Sequence, residues 1–428
     1  MVDKRIIEQV INEQFEELEA LQDVRLCSRK EEKEVDLESN LAQVVIGVRR
    51  SGKSILCYNV LKPLFGKFAY VNFDDERFKD LKTEDLNSVL EILYKVYGNF
   101  KYLFLDEVQN IDGWHLFVNR LLRQQMHIIV TGSNAKLLSS ELATHLTGRN
   151  EQIELYPFSF EEWCLCKDIN ITSKTTKAEA LRRSAFDEYM KQGGFPELLH
   201  HKNKARYIEN LVNNILKRDI EQRHKIKYID TFEQLTNHLM NVAPTSVVEK
   251  DLADILNLKS NHTINNYINF LKEAYLLLSL KRYSTKSRQR VRNEKVYPID
   301  VALMDNRPNA FAGENLGRRL ETIVFIELLR RNRPINRDIY YYRSSNGVEA
   351  DFVVCKICKN NVVEEIYQVS YDISKEKTRK RELRGLLTAS KETSCDNLYL
   401  ITDFHREDVT LENKTIHIIP AYEWLINK

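Results

Sequence analysis

The chain has 428 residues, 43% hydrophobic and 10% aromatic, which excludes a disordered protein and is too long for one ordinary core, so about two to four domains are expected. No apolar run nears the roughly 18 residues of a membrane helix, and Met1 to Leu21 is charged and amphipathic rather than leader-like, so no membrane partner is expected. Basic and acidic residues nearly cancel at 64 and 62, and seven scattered cysteines make no disulfide framework; they fit free thiols in a reducing, cytoplasmic setting.

The first expected element is a helix with Ile6, Ile7, Val10, Ile11, Phe15, Leu18 and Leu21 on one stripe, packing on its own domain or on a neighbouring subunit. Leu41 to Ile46 is an apolar run of strand length, and apolar residues resume at helical spacing after Lys53. Between them, Gly47-Val48-Arg49-Arg50-Ser51-Gly52-Lys53-Ser54 completes GxxxxGK[ST] in the strand–loop–helix setting that the motif requires. Glycines let the backbone wrap so that several N–H groups point at phosphate oxygens. The helix that starts at the loop adds its positive end. Residues 47 to 54 and Ile55 are therefore expected to hold ATP, with Lys53 reaching the β- and γ-phosphates and Ser54 ligating Mg²⁺.

Phe68 to Phe73 is expected as the next strand, and Tyr102 to Leu105 as another, ending in Asp106-Glu107. Ligands in open α/β sheets bind at that end of the strands. Asp106 is the expected outer ligand of Mg²⁺, and Glu107 the group that orients and deprotonates the attacking water. A further strand, His127 to Val130, runs into Thr131-Gly132-Ser133-Asn134, where Ser133 or Asn134 would sense the γ-phosphate unless the segment is a plain turn. Arg149 is a candidate arginine finger, in cis or from a neighbouring subunit, against a solvated side chain.

With these residues in view, the chain resembles the prokaryotic, archaeal-type AAA ATPases that carry an uncharacterised C-terminal domain. The matching landmarks are Gly47 to Ser54, Tyr70-Val-Asn-Phe-Asp-Asp75, Leu105-Asp-Glu-Val-Gln-Asn110 with Trp114, Thr131-Gly-Ser133, Gly148-Arg149 and Tyr156-Pro-Phe-Ser-Phe160. Gly193-Gly-Phe-Pro-Glu197, Arg218-Asp219-Ile220 and Glu349-Ala-Asp351-Phe-Val-Val354 continue the set. The resemblance implies an α/β fold: a P-loop NTPase with a central parallel sheet and helical lid, then a winged helix and a restriction-endonuclease-like α/β domain.

The remaining residues divide along those lines. Phe160 to about Tyr228 is helical and polar, with a Ser/Thr/Lys-rich loop at Lys167 to Lys177. Val247–Leu256 and Thr263–Ala274 are expected as helices, and Tyr275–Leu280 as a strand. Lys281 to Lys295 then carries seven basic residues against Glu294, and Arg282, Lys286, Arg288, Arg290 and Arg292 are candidate DNA contacts in a wing, the competing reading being a solvated hairpin. Gly317 to Glu321 opens an amphipathic helix, followed by strands at Asp338–Arg343, Ala350–Val354 and Glu365–Tyr371, a basic helix from Lys375 to Leu387 and a strand at Leu398–Thr402. An active nuclease of this order needs an acid on one strand and Asp/Glu-x-Lys on the next. Asp351 and Glu321 supply acids, but the second element reads Gln368-Val369-Ser370, so a vestigial site is expected. Cys355 and Cys358 are expected to flank a hairpin turn rather than bind metal.

The expected division is an N-terminal helical segment at 1–40, an ATPase core at 41–160, a lid at 161–228, a winged helix at 229–296 and the nuclease-like domain at 297–428. The expected function is a Mg²⁺-dependent AAA-type switch or motor coupled to DNA. The alternatives are a slow regulatory switch acting on a protein partner and, third, an ATP-gated nuclease. Homo-oligomers are compatible with such a core.

Overall fold

A computed structural model of the chain describes residues 2–133, 146, 148–256, 258, 260–284, 294–305, 315–332, 337–356 and 362–426. It contains two compact units, one of Met1–Tyr156 with Glu273–Tyr275, the other of Pro157–Lys272 and Leu276–Lys428. Among the described residues no helix is long and apolar enough to cross a membrane.

The first unit runs α1 (Lys4–Ala20), β1 (Ala42–Ile46), α2 (Lys53–Leu61), β2 (Phe68–Asn72), α3 (Leu86–Tyr97), β3 (Tyr102–Asp106), α4 (Trp114–Arg123), β4 (His127–Gly132) and β5 (Asn150–Glu154). All five strands are parallel, in the order β2-β3-β4-β1-β5. β1 and β3 are buried along their whole length, because helices cover both faces of such a sheet. That is why their sequences are nearly continuous apolar runs.

Helix α1 starts at Asp3, whose carboxylate accepts the Arg5 N–H (2.9 Å). It buries Ile7, Val10, Ile11 and Leu18, while Ile6 falls off the stripe at 40% exposed. Gln14 closes a two-way amide bond with the backbone of Asn72 on β2, both distances 3.0 Å. Lys4–Glu91 and Lys95–Glu8 pair α1 with α3. Of the two places open to this helix, it occupies its own domain.

The second unit begins with helices α5 (Phe160–Cys166), α6 (Thr176–Gln192) and α7 (Lys204–Asn214), the last prolonged by a π-helical turn at Ile215–Glu221. Next come α8 (Ile229–Val242), β6 (Thr245–Ser246), α9 (Glu249–Ile255), α10 (Asn261–Glu273), β7 (Leu277–Lys281) and β8 (Glu294–Pro298). The three strands form an antiparallel sheet in the order β6-β8-β7. After α11 (Ala302–Asp305) and α12 (Leu316–Asn332) come β9 (Arg337–Arg343), β10 (Glu349–Lys356), β11 (Val362–Val369), α13 (Glu376–Thr393), β12 (Leu398–Thr402), β13 (Glu407–Leu411), β14 (Lys414–Pro420) and α14 (Ala421–Trp424). These six strands make a mixed sheet, β13-β14-β12-β11-β10-β9, parallel from β11 through β12 to β14.

Gly193 and Gly194 are fixed by close packing within this unit. Gly193 has φ +79°, and a Cβ on it would lie 1.8 Å from Asp300 Oδ1; a Cβ on Gly194 would lie 2.2 Å from the Phe158 carbonyl oxygen. Asp300 is buried and accepts N–H groups from Gly194 (2.9 Å) and Ala302 (2.8 Å). Gly193→Ala therefore combines a left-handed backbone with a clash, and a loss of about 2–4 kcal/mol is expected. Thermal unfolding of the variant checks it; an unchanged melting temperature would contradict this packing.

Cys57, Cys164, Cys355 and Cys395 are free and buried. Cys358, and the turn it was expected to flank, lie outside the described residues.

Candidate functional site

Strand register assembles the candidate site. β4 lies between β1 and β3, with Val45 beside Thr131 and Leu105 beside Val130. The loop after β1, the hydroxyl of Thr131 and the Asp106-Glu107 pair therefore emerge together at the carboxyl edge of the sheet. The acid-bearing strand is separated from the loop-bearing one in space as well as in sequence.

The loop runs through two left-handed residues, Arg50 (φ 68°) and Gly52 (φ 96°), before α2 begins at Lys53. A Cβ at Gly47 would lie 2.1 Å from the Leu155 carbonyl oxygen, so only glycine lets the chain leave β1 on this path. Val48 is buried, and Arg49 reaches out to Asp74 (2.9 Å). Lys53, 4% exposed, donates to the carbonyls of Gly47 and Val48, both at 3.3 Å, and stands 3.5 Å from Glu107 Oε1.

Ser54 Oγ donates to Asp106 Oδ1 at 3.0 Å, and Tyr70 OH to Asp106 Oδ2 at 3.3 Å. Thr131 Oγ1 also donates to Asp106 Oδ1 and accepts the Glu107 N–H (2.9 Å). Glu107 itself adopts φ 50°, a left-handed conformation unusual for this residue. Gln109 Nε2 donates to Glu107 Oε2 and to Ser133 Oγ (3.3 Å).

Burial, reinforced by the charge of Glu107, pushes the Asp106 carboxyl above its usual range. Burial also acts on Glu107, but the positive charges of Lys53 and Arg49 together with hydrogen bonds from Gln109 and Ser133 outweigh it and hold that carboxyl below its usual range. The two neighbouring acids are thus driven apart, with Glu107 the one kept ionised.

The residues suit a nucleotide and a divalent cation. Among the described residues, buried Ser51 Oγ in the loop and Gln109 Oε1 beside Glu107 have no hydrogen-bond partner, and the loop offers a path no Cβ permits. Among the described residues no group of three or more His, Cys, Asp or Glu is placed to hold a metal. Mg²⁺ on a triphosphate needs no such group, since phosphate oxygens and water fill most of its octahedron, and Ser54 with Asp106 is the pair available here.

Arg149 is not brought to this edge. Its carbonyl accepts from Ala42 N at the start of β1 (3.0 Å), and its guanidinium reaches Asn119 (3.3 Å). That is the opposite end of the sheet, about 16 Å away for five residues of strand. A finger in cis is therefore excluded by geometry. Ser133 is buried beside Gln109, whereas Asn134 lies outside the described residues.

Sequence reasoning quoted Thr131, Tyr70 and Gln109 as landmarks without giving them a role, and passed over Arg29. Arg29, 5% exposed, donates to the carbonyls of Ser51 (3.0 Å) and Tyr156 (2.7 Å), tying the loop backbone to the end of the unit. Its segment carries no motif. Thr131 was in plain view beside Ser133, and only strand register shows that it faces both acids.

In the second unit, Arg282 donates to the Arg343 carbonyl and so is held against β9; Lys286, Arg288, Arg290 and Arg292 lie outside the described residues. Lys295, counted with that basic stretch, is 9% exposed and stands 3.9 Å from Glu321 and 3.7 Å from Glu349. Tyr297 OH donates to Glu321 (2.8 Å), and Asp351 Oδ2 accepts from Val369 N (2.8 Å). Burial, then the charge of Glu321, raises Asp351 well above the usual carboxyl range. Gln368 Nε2 donates to Glu382 (2.9 Å).

A family described as an AAA domain matches residues 39–164, a "Domain of unknown function (DUF8612)" matches 183–310, and a "Domain of unknown function (DUF4143)" matches 316–424. The chain is 35% identical to the uncharacterised protein MJ1544 of Methanocaldococcus jannaschii, over 99% of this chain and 96% of that one. An uncharacterised protein of Haemophilus influenzae is 29% identical over 91% and 95%. Among solved structures, the Thermotoga maritima RuvB Holliday junction branch migration motor shares 13% identity over 68% of this chain and 95% of that chain; its TM-score of 0.30 is too low to carry an argument. The AAA match coincides with the five-stranded sheet and its phosphate loop, and the near full-length relative fixes the rest: the chain belongs to the archaeal and bacterial family of MJ1544, proteins with an AAA-type P-loop ATPase domain followed by two domains of unknown function.

Proposed function

We propose that this protein is a Mg²⁺-dependent ATPase whose nucleotide state governs its C-terminal modules, and that those modules engage DNA. The single observation that carries the ATPase reading is the pairing of Ser54 with Asp106 at 3.0 Å beneath a loop whose Lys53 stands 3.5 Å from Glu107. Gly47 to Ile55 would bind the phosphates, and Lys53 Nζ would bring its charge to the β- and γ-oxygens. Glu107 would orient the attacking water and take its proton at the carboxylate, with Gln109 fixing the rotamer and Ser133 sensing the γ-phosphate through Gln109. When bound at Ser54 and Asp106, Mg²⁺ would neutralise phosphate charge. Catalysis of this kind is positioning plus electrostatics. Arg149 would act only from a neighbouring copy.

Helices α8, α9 and α10 with the β6-β8-β7 sheet support the winged-helix reading. The α12, β9–β11, α13, β12 order supports a restriction-endonuclease-like scaffold. Gln368 and Ser370 stand where an active nuclease needs Glu-x-Lys, which disfavours cutting.

The test is steady-state ATP hydrolysis with Mg²⁺, with and without duplex and single-stranded DNA. Stimulation by DNA, lost in Glu107→Gln, is expected; hydrolysis indifferent to DNA would turn the reading toward the second one, a slow switch on a protein partner. That alternative draws on Arg282, whose engagement with the Arg343 carbonyl weakens the wing as a phosphate-binding surface.

A further inference from the structure

A pocket of about 680 Å³ opens in the second unit, walled by the turn before β10, by Asp351 and Gln368 on neighbouring strands and by one face of α13. The helix contributes Lys377, Lys380, Arg381 and Arg384 to its wall. Their spacing, i, i+3, i+4 and i+7, puts all four on one side of the helix. All four are exposed. Lys380 pairs with Glu376 (2.6 Å) and Arg381 with Glu382, while Lys377 and Arg384 have no ion-pair partner among the described residues.

The acids in the floor are already engaged. Glu349 faces Arg343 (3.3 Å) and Lys295 (3.7 Å), Asp351 accepts the Val369 N–H (2.8 Å), and Glu382 accepts from Gln368 (2.9 Å) and Arg381. Lys377 and Arg384 are therefore the two helix cations left for an incoming anion. Gln368 Oε1 in the same floor has no donor among the described residues, which suits a polar occupant with N–H or O–H groups better than a hydrocarbon.

Size and charge together select the ligand. The pocket lies within the usual range for small-molecule sites, about 300–1,000 Å³, and is larger than a lone phosphate requires. The basic stripe extends roughly 10 Å along the helix, at about 1.5 Å per residue, so it matches a run of phosphates better than one. No trio of metal-ligating residues accompanies it among the described residues.

We infer that this pocket takes one nucleotide of an unpaired nucleic-acid strand, with the adjoining phosphates on the Lys377–Arg384 stripe, and holds it without cutting. The inference rests on the nucleic-acid part of the proposed function and is independent of ATP hydrolysis.

The experiment is fluorescence anisotropy of a labelled oligothymidylate with the full chain, across a salt series, in wild type, Lys53→Ala and the double variant Lys377→Ala/Arg384→Ala. The double variant is expected to bind about tenfold more weakly at low salt. Its log–log salt slope should be shallower by about 1.4, two phosphate contacts at about 0.7 each. Its ATP hydrolysis in the absence of DNA should be unchanged, and in the absence of ATP Lys53→Ala should bind the strand like wild type. Unchanged affinity and slope in the double variant would overturn the pocket while leaving DNA-stimulated hydrolysis, and with it the broader reading, intact. No binding by wild type at low salt would overturn both. Displacement by thymidine monophosphate at equal nucleotide concentration would reassign the pocket to a free nucleotide, and equal affinity for closed duplex would remove the preference for an unpaired strand. Mg²⁺- or Mn²⁺-dependent cleavage lost in Asp351→Ala would overturn binding without cutting.

Discussion

Lys53→Ala is expected to lower ATP turnover by roughly a thousandfold or more, the scale of losing a preorganised charge from a phosphoryl-transfer site. Of the loop's own three basic side chains Lys53 is the one that is buried: Arg49 is drawn to Asp74, and Arg50 is exposed. Its ammonium also holds Glu107 ionised, so alanine removes phosphate binding and base activation together. Both kcat and apparent ATP affinity should fall, which a coupled phosphate-release assay and a fluorescent nucleotide titration would separate. Retained turnover would place the chemistry elsewhere. The variant should fold, because the loss of a 3.5 Å ion pair leaves Glu107 still hydrogen-bonded by Gln109.

Glu107→Gln should separate binding from chemistry. The amide keeps the size of the side chain but cannot accept the proton of the attacking water. A loss of about 10²–10⁴ in kcat is expected with ATP affinity near wild type. Asp106 would also lose a like charge beside it, one of the causes of its raised pKa, so the Mg²⁺-binding acid should ionise more readily in the variant. A matching loss of affinity and turnover would mean that Glu107 supports the loop rather than the reaction.

The phosphate loop and the Asp106-Glu107 pair were legible because each is contiguous in sequence and follows an apolar strand covered on both faces. Tyr70, Gln109 and Thr131 were not, since they meet Asp106 or Glu107 through strand register and a turn, neither of which spacing encodes. The strand Asn150–Glu154 was passed over for a different reason: it lies at the edge of the sheet, is largely exposed, and carries only Ile153 as an apolar residue. β13 is likewise an exposed edge strand. β14, by contrast, buries Ile416 and Ile418 in alternation, a strand signal that was there to be read.

Charge misled where position mattered. Lys295 belongs to a basic run, yet it is buried, and although burial alone would lower its pKa, Glu321, Asp351 and Glu349 hold it above the ordinary value. The run reads as surface from sequence because burial of a lysine depends on carboxylates supplied by α12 and β10. The basic helix α13 was seen, but not that four of its cations share a pocket with Asp351 and Gln368.

The most direct test of the central claim is ATP binding and Mg²⁺-dependent hydrolysis measured side by side in wild type and Glu107→Gln. Binding by both proteins, with turnover only in the wild type, is the result predicted by the geometry of Lys53, Ser54, Asp106 and Glu107. Equal turnover in the two proteins, or no ATP binding by either, would contradict it.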